Sequence, residues 1–176
     1  MATPSRAQAL ATLEAGQDEL DALFGQLTDV ELSQPGTLGS SDWAAKDLMG
    51  HIAFWEELAL ETIDAWRAGQ RPRVEDISGQ AGTDRANADN QARTAPQSAS
   101  EIRSRAASAH QALLSALSSL SEAEWNAPAP YDSPSAPSLG DMLGGVLGAP
   151  NHPFGHPYAH LDDLMAYVRS RSEQTG

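Results

Sequence analysis

Cysteine is absent from the 176-residue chain, which excludes disulfides, thiolate-ligated metal and a cysteine nucleophile. Any thiol chemistry would need a thiol brought from outside. Lysine is nearly absent: Lys46 stands alone beside ten arginines. Positive charge as a whole is scarce, with 11 basic against 24 acidic residues and a formal net charge of −13. Such a field repels a phosphate backbone, so nucleic acid is not an expected partner. Long apolar runs are missing too. Leu143 to Leu147, interrupted by two glycines, falls far short of the roughly 18–20 residues that span a bilayer, so no membrane association is expected. Met1 to Leu10 carries Pro4 and Arg6 with no hydrophobic segment behind them, which gives the expectation of no secretory signal and a cytoplasmic location. There is no P-loop, no Gly-rich dinucleotide turn after a strand, no Gly-x-Ser-x-Gly elbow and no His-Glu-x-x-His. Nucleotide binding, serine hydrolysis and zinc proteolysis of known kinds are therefore disfavoured.

What is present is helical periodicity. From Arg6 to Leu27 apolar residues recur at Leu10, Leu13, Leu20, Leu23, Phe24 and Leu27, the three-and-four spacing of one helical face. Thr28 and Asp29 resemble a stop or a new cap, and Gln34-Pro35-Gly36 is a firm break. Ser41 or Asp42 can cap a second helix, which runs from Trp43 through Leu48, Ile52, Trp55 and Trp66 to Gly69. At 1.5 Å per residue its roughly 27 residues span about 40 Å, the scale of a bundle rod. Gln70 to Ser98 is polar and bounded by Pro72 and Pro96; a short helix over Thr83 to Thr94 would turn Asn87 and Asn90 inward. A third helix begins at Ser98 or Ser100 and is lined by Ile102, Ala106, Ala109, Leu113, Leu117 and Leu120, with a terminal turn at Ser121 to Trp125. Asn126 to Pro137 holds four prolines and reads as a crossover. Ser138 starts a short helical pattern through Leu147, broken by Gly148-Ala149-Pro150. Pro157 suits the first turn of a last helix bearing Leu161, Leu164, Met165 and Val168. No strand pattern and no internal repeat is visible. The expected fold is all-α: four main helices with long crossover connections, a single domain over residues 1–176.

Three of the five histidines fall in the run Asn151 to His160. His156 and His160 are four apart, so on a helix both imidazoles project from one face. Two neutral imidazoles at that spacing make a bidentate site for zinc, nickel, iron or copper, and His51 on the second helix is the natural third donor. The alternative is structural: Pro157 puts His156 at a helix start, where it can decorate a loop, and His51 can be a boundary histidine bonded to a carbonyl. His110 reads as surface or boundary. Glu56, Glu57, Glu61, Asp162 and Asp163 could supply a general base or further ligand, though acids on long helices usually form the solvated face. Trp43, Trp55, Trp66, Phe54 and Tyr158 read as core, with Trp55 on the face of His51.

Trp43-Ala44-Ala45-Lys46-Asp47-Leu48-Met49-Gly50-His51-Ile52-Ala53-Phe54-Trp55-Glu56 resembles the second-helix motif of the DinB-like superfamily, where a Trp opens the helix, a Lys-Asp pair follows and a histidine precedes an apolar-aromatic stretch. The chain is most similar to the ClbS/DfsB-like branch and shares features with mycothiol-dependent maleylpyruvate isomerase-like proteins. The resemblance implies a four-helix bundle, frequent homodimers and a divalent metal (zinc, nickel or iron) held by His51, His156 and His160. A second alignment places Tyr158-Ala159-His160-Leu161-Asp162-Asp163 on the branch motif, making His160 the first ligand and leaving Leu164 where the second should stand, with Asp163 about 100° round the helix.

The activities implied are hydrolysis or ring opening of a reactive metabolite, as in self-resistance or detoxification, or transfer of a low-molecular-weight thiol. A non-catalytic binding or sequestering protein is the rival class. The expected site is a pocket between the second and last helices, with His51, His160 and Glu56 as catalytic groups and Trp55 and Tyr158 against a small-molecule substrate. Without metal, His51 or His160 becomes a general acid or base oriented by Glu56.

Overall fold

The computed structural model describes residues 4–39, 42–132 and 138–175. Its helices are α1 (Arg6–Phe24), α2 (Asp29–Leu32), α3 (Ala45–Arg67), α4 (Gly79–Thr94), α5 (Ala99–Ser119), α6 (Glu122–Trp125), α7 (Leu139–Val146) and α8 (Leu161–Thr175), with 3₁₀ turns at Arg73–Asp76 and Pro157–His160. Among the described residues there is no strand, only one isolated bridge between Ala149 and His152. The expected all-α class holds: α1, α3, α5 and α8 answer to the four expected main helices, and α4, at 16 residues, is as long as α8. No described helix is long and apolar enough to cross a membrane.

Local signals start most of these helices. Ser5, Thr28, Ser98 and Ser121 each accept an N–H from the third helical residue, whose Gln or Glu side chain reaches back to the cap's own N–H. Thr28 is thus a new cap. The start of α3 differs from expectation: Ala44 is the capping position, and the Asp47 carboxylate accepts the Ala44 N–H at 2.9 Å. Asp42 lies before the helix, and Ser41 is outside the described residues. The polar stretch after α3 is more ordered than its composition suggests, since α4 covers 16 residues and starts at Gly79, four before the expected Thr83. Part of the proline-rich crossover, residues 133–137, lies outside the described residues.

α3 is the axis of the molecule. It packs along α5 and also touches α2, α4, α7 and the Arg73–Asp76 turn, and every residue from Leu48 to Glu56 is buried. A helix covered on all sides buries polar as well as apolar faces. Two apolar clusters meet along it. One contains Leu13, Leu58, Leu113, Leu117, Trp125, Leu143 and Phe154. The other contains Leu20, Phe24, Leu32, Leu48, Ile52, Ile102, Leu164 and Val168. α4 is attached differently: it buries only Asn90 and Thr94, and Asn90 Nδ2 donates to the Gly50 carbonyl at 3.1 Å. Lys46, the sole lysine, donates to the carbonyls of Ala95 and Gln97 in the turn between α4 and α5.

Glu31 ties α2 to α8. Its carboxylate accepts the N–H and hydroxyl of Thr28 and the Arg171 guanidinium, while Tyr167 donates to the Glu31 carbonyl. The Thr28 backbone bond above all, then the Thr28 hydroxyl and Arg171, hold the Glu31 pKa down from 4.5 to about 2. A depressed carboxyl stabilises the fold above its unfolded pKa and loses that contribution as pH falls through the folded value. Glu31→Gln should therefore melt below wild type at pH 7, and the gap should close as pH falls from 4.5 towards 2, as thermal melts over that range would show.

Candidate functional site

His51 projects from the middle of α3, and its ring lies 5.0 Å from that of Trp43. Opposite it, the chain leaves α7 at Leu147 and makes a tight excursion to the 3₁₀ turn. The Ala149–His152 bridge and the His156 N–H on the Leu147 carbonyl, at 3.0 Å, close this loop. Asn151 and Phe154 both take φ of 61°, the left-handed region that non-glycine residues rarely enter. Phe154 is held there by packing: its ring is fully buried and stacks on Trp125 at 5.6 Å. On the other side, a Cβ built on Gly16 of α1 would lie 2.9 Å from Pro157 Cβ, so only glycine lets the 3₁₀ turn come this close.

This backbone delivers three imidazoles to one point. His51 Nε2 lies 2.9 Å from His156 Nε2, which lies 3.3 Å from His160 Nε2, and the three ligand atoms fall within 4.8 Å of one another. The means differ from the expected regular helix: His156 precedes the 3₁₀ turn Pro157–His160, and α8 begins only at Leu161. The second alignment finds no cluster. Leu164 is fully buried in apolar core, and Asp163, whose carboxylate crowds Gly39, influences His160 only through its charge.

All three rings are held neutral. Burial, and then the charge of His160, push His51 down to about 3, with Asn87 acting in the opposite direction. Burial dominates at His156, which falls well below 6.5, aided by the charges of His51 and His160. Burial lowers His160 against the pull of Asp163. Nδ1 of His51 is buried with no hydrogen-bond partner at bonding geometry.

The triad forms part of the wall of a cavity of about 790 Å³ between α3, α4 and α7, within the range of small-molecule sites. Trp55 lines it, and its indole N–H donates to Asn87 Oδ1 at 3.0 Å. The inward turn of Asn87 and Asn90 thus holds. Trp43, read from sequence as core, is a cavity wall. Glu75, Asp141 and Met142 also line it and carried no sequence signal.

Two expected site residues lie elsewhere. Glu56 is five residues from His51, about 140° round the helix, whereas Trp55 at four residues stays within about 40°. Glu56 is buried on the other side of α3, with Oε1 2.6 Å from Nδ1 of His110, and lines a separate cavity of about 200 Å³ with Gln17, Asp21 and Arg103. Burial raises the Glu56 pKa against the effect of His110. His110 takes the boundary alternative, intermediate in burial: burial opposes its charge, but the bond and charge of Glu56, helped by Asp21 and Glu14, raise its pKa overall. Tyr158 is not among the residues lining the triad cavity; it stacks on His152 at 5.3 Å and packs towards Gly16. Glu57 and Glu61 are committed to Arg105 and Arg73, and Asp162 is exposed.

The chain belongs to the DinB superfamily, whose sequence profile matches residues 12–152. His156 and His160 fall just beyond that span. Two solved structures share the fold. An uncharacterised protein of Escherichia coli UTI89 superposes with a TM-score of 0.76 at 10% identity, over 95% of this chain and 94% of that one. The colibactin self-resistance protein ClbS, solved in complex with dsDNA, superposes with a TM-score of 0.72 at 15% identity, over 94% of this chain and 98% of that one. At such identities the likeness is one of fold. No curated protein sequence matches the chain.

Removing the Phe154 anchor should cost more than its area alone, because the strained turn then loses its compensation. Phe154→Ala is expected to destabilise the protein by about 3–5 kcal/mol in urea unfolding. A loss below about 1 kcal/mol would show that the loop is held by other contacts.

Proposed function

We propose that the protein is an enzyme acting on a small reactive molecule bound in the triad cavity, with His51, His156 and His160 holding a divalent metal. The observation that carries this reading is the convergence of three neutral imidazoles in the wall of a ligand-sized cavity. The donor set is compatible: nitrogens about 2.0–2.1 Å from a tetrahedral zinc lie about 3.3 Å apart, close to two of the three separations here, 2.9 and 3.3 Å, and all three atoms lie within 4.8 Å of one another. Ligation also needs neutral rings, which burial supplies. A metal so held would supply Lewis acidity, polarising a substrate oxygen or lowering the pKa of a water or an external thiol.

The chain's own groups bind and orient. Trp43 and Trp55 contribute aromatic surface to the wall, Asn87 accepts the Trp55 indole N–H and so holds that ring, and Met142 and Val146 of α7 add apolar lining. The fold likeness to a self-resistance protein favours hydrolysis or ring opening of a toxic metabolite over thiol transfer.

A second reading, metal-free sequestration, is favoured by one distance. At 2.9 Å, neutral His51 and His156 satisfy each other as donor and acceptor without any metal. ClbS was solved with dsDNA, so duplex binding deserves a direct test here; with a net charge of −13, we expect none above the non-specific level at 150 mM salt.

Elemental analysis of untagged protein purified without chelator should find about one divalent metal per chain in wild type. His51→Ala, His156→Ala and His160→Ala should each lose it, with melting temperatures reported alongside. Wild type that stays empty even after dialysis against zinc or nickel would sink the metal-assisted reading and leave sequestration.

A further inference from the structure

Of the two ring nitrogens of His51, the triad accounts for one: Nε2 lies 2.9 Å from His156 Nε2. The other, Nδ1, is buried with no partner at bonding geometry. A ligating imidazole ordinarily donates its second ring N–H to an acceptor, which fixes both its tautomer and its orientation. Nδ1 is therefore the unfinished part of the site, and the acceptor that completes it must come from the walls around His51.

Asn87 of α4 is placed to supply it. It lines the same cavity as His51 and Trp55, and its Oδ1 accepts the Trp55 indole N–H at 3.0 Å. An indole N–H can only donate, so this bond settles which end of the amide faces α3: the oxygen does. His51 and Trp55 stand four residues apart on one face of α3, with ring centroids 6.4 Å apart. Asn87 also acts on His51 by hydrogen bonding, and with the sign of an acceptor, since it favours the charged ring against burial. One amide oxygen has two lone pairs, enough for a donor from each of two side chains one helical turn apart. A ring nitrogen that meets an acceptor must carry a hydrogen. Nδ1 is then the N–H of the neutral ring, and Nε2, turned towards His156, keeps its lone pair.

We propose that Asn87 is the positioning residue of His51: its oxygen accepts His51 Nδ1–H as well as the Trp55 N–H, holds the ring in the Nδ1–H tautomer and, on the metal-assisted reading above, so presents a bare Nε2 to the ion. The tautomer is the same with or without metal. It also assigns the roles in the 2.9 Å contact between imidazoles, because a bare His51 Nε2 can only accept and His156 must donate through Nε2–H. α4, which buries only Asn90 and Thr94, is thereby more than a wall of the cavity: it carries the group that makes His51 ready to ligate.

The test reads tautomer and zinc affinity separately, on the full chain isotope-labelled at the histidine nitrogens and held at about pH 7.5, where all three rings are neutral. In chelator-treated wild type, long-range proton–nitrogen correlations should show His51 as Nδ1–H and His156 as Nε2–H, the signals being assigned with His51→Gln and His156→Gln. Asn87→Leu should move His51 towards the Nε2–H form and weaken zinc binding, measured by competition with a chelating dye, by about 10–100-fold. Asn87→Asp keeps an acceptor oxygen and should restore both. Asn90→Ala cuts the other tie between α4 and α3, so a merely structural role for Asn87 would make the two losses alike; it should move the His51 tautomer far less than Asn87→Leu does. Melting curves accompany every variant, and the wild-type tautomers remain decisive if Asn87→Leu unfolds. His51 found as Nε2–H in wild type, a tautomer unmoved by Asn87→Leu, or an equal shift in Asn90→Ala would each overturn the inference. Zinc held equally by wild type and Asn87→Leu would sink it and leave the metal-assisted reading standing. A tautomer governed by Asn87 in a protein that takes up no zinc would do the reverse, leaving Asn87 as the positioning residue of a metal-free His51.

Discussion

The middle of α3 is buried on every side, yet two of its buried residues, His51 and Glu56, are titratable. A titratable group in an apolar interior must find polar partners or lose its charge. The molecule meets that requirement twice, on opposite flanks of the same helix. Glu56 takes the charge-assisted route, pairing with His110 of α5. His51 takes the neutral route, among two further imidazoles and the indoles of Trp43 and Trp55. The distinction sets what each flank can do, because the paired carboxylate is spent on its partner whereas neutral imidazole nitrogens remain available as ligands or as acid and base.

Gathering the imidazoles demands an awkward backbone. His156 and His160 would stand on one face of a regular helix, but here they reach His51 through a 3₁₀ turn and a loop with two left-handed residues. Those conformations are unfavourable in isolation, and the surrounding packing supports them. Phe154 is wedged against Trp125, and Gly16 leaves room for Pro157. The site's geometry is therefore stored partly in the loop that carries His156 and partly in α1 and α6, neither of which supplies a ligand.

Much of this was legible in the sequence. Apolar residues at three-and-four spacing marked α1, α3, α5 and α8, because these helices bury a stripe. The histidine pair was legible from its spacing, although the turn that carries it was not; a proline after His156 is compatible with either helix type. α4 was under-read because it is fastened by hydrogen bonds, Asn87 accepting from Trp55 and Asn90 donating to Gly50, and buries no large apolar side chain, so periodicity had little to register. Glu56 was misplaced for an angular reason, since adjacency to Trp55 in sequence is a rotation of about 100° in space. Tyr158 went the same way, one residue beyond the Pro157 that seats against α1. Glu75 and Asp141 had no signal at all: their place in the cavity wall is visible only once a turn and a short helix are folded against the same cavity.

The two walls facing the triad differ in what holds them. α7 is anchored by Leu139, Leu143 and Val146 in the main core, so its displacement would expose a large apolar surface. α4 buries almost none, and few buried apolar contacts mark the segments of a fold that open most easily. Its attachment to α3 runs through Asn87 on Trp55 and Asn90 on Gly50, bonds that water can replace at little cost. A ligand entering the cavity would meet its least resistance along α4, while α7 and the imidazoles stay fixed. Substitutions on α4 should by the same asymmetry reshape the cavity without touching the apolar core behind the triad.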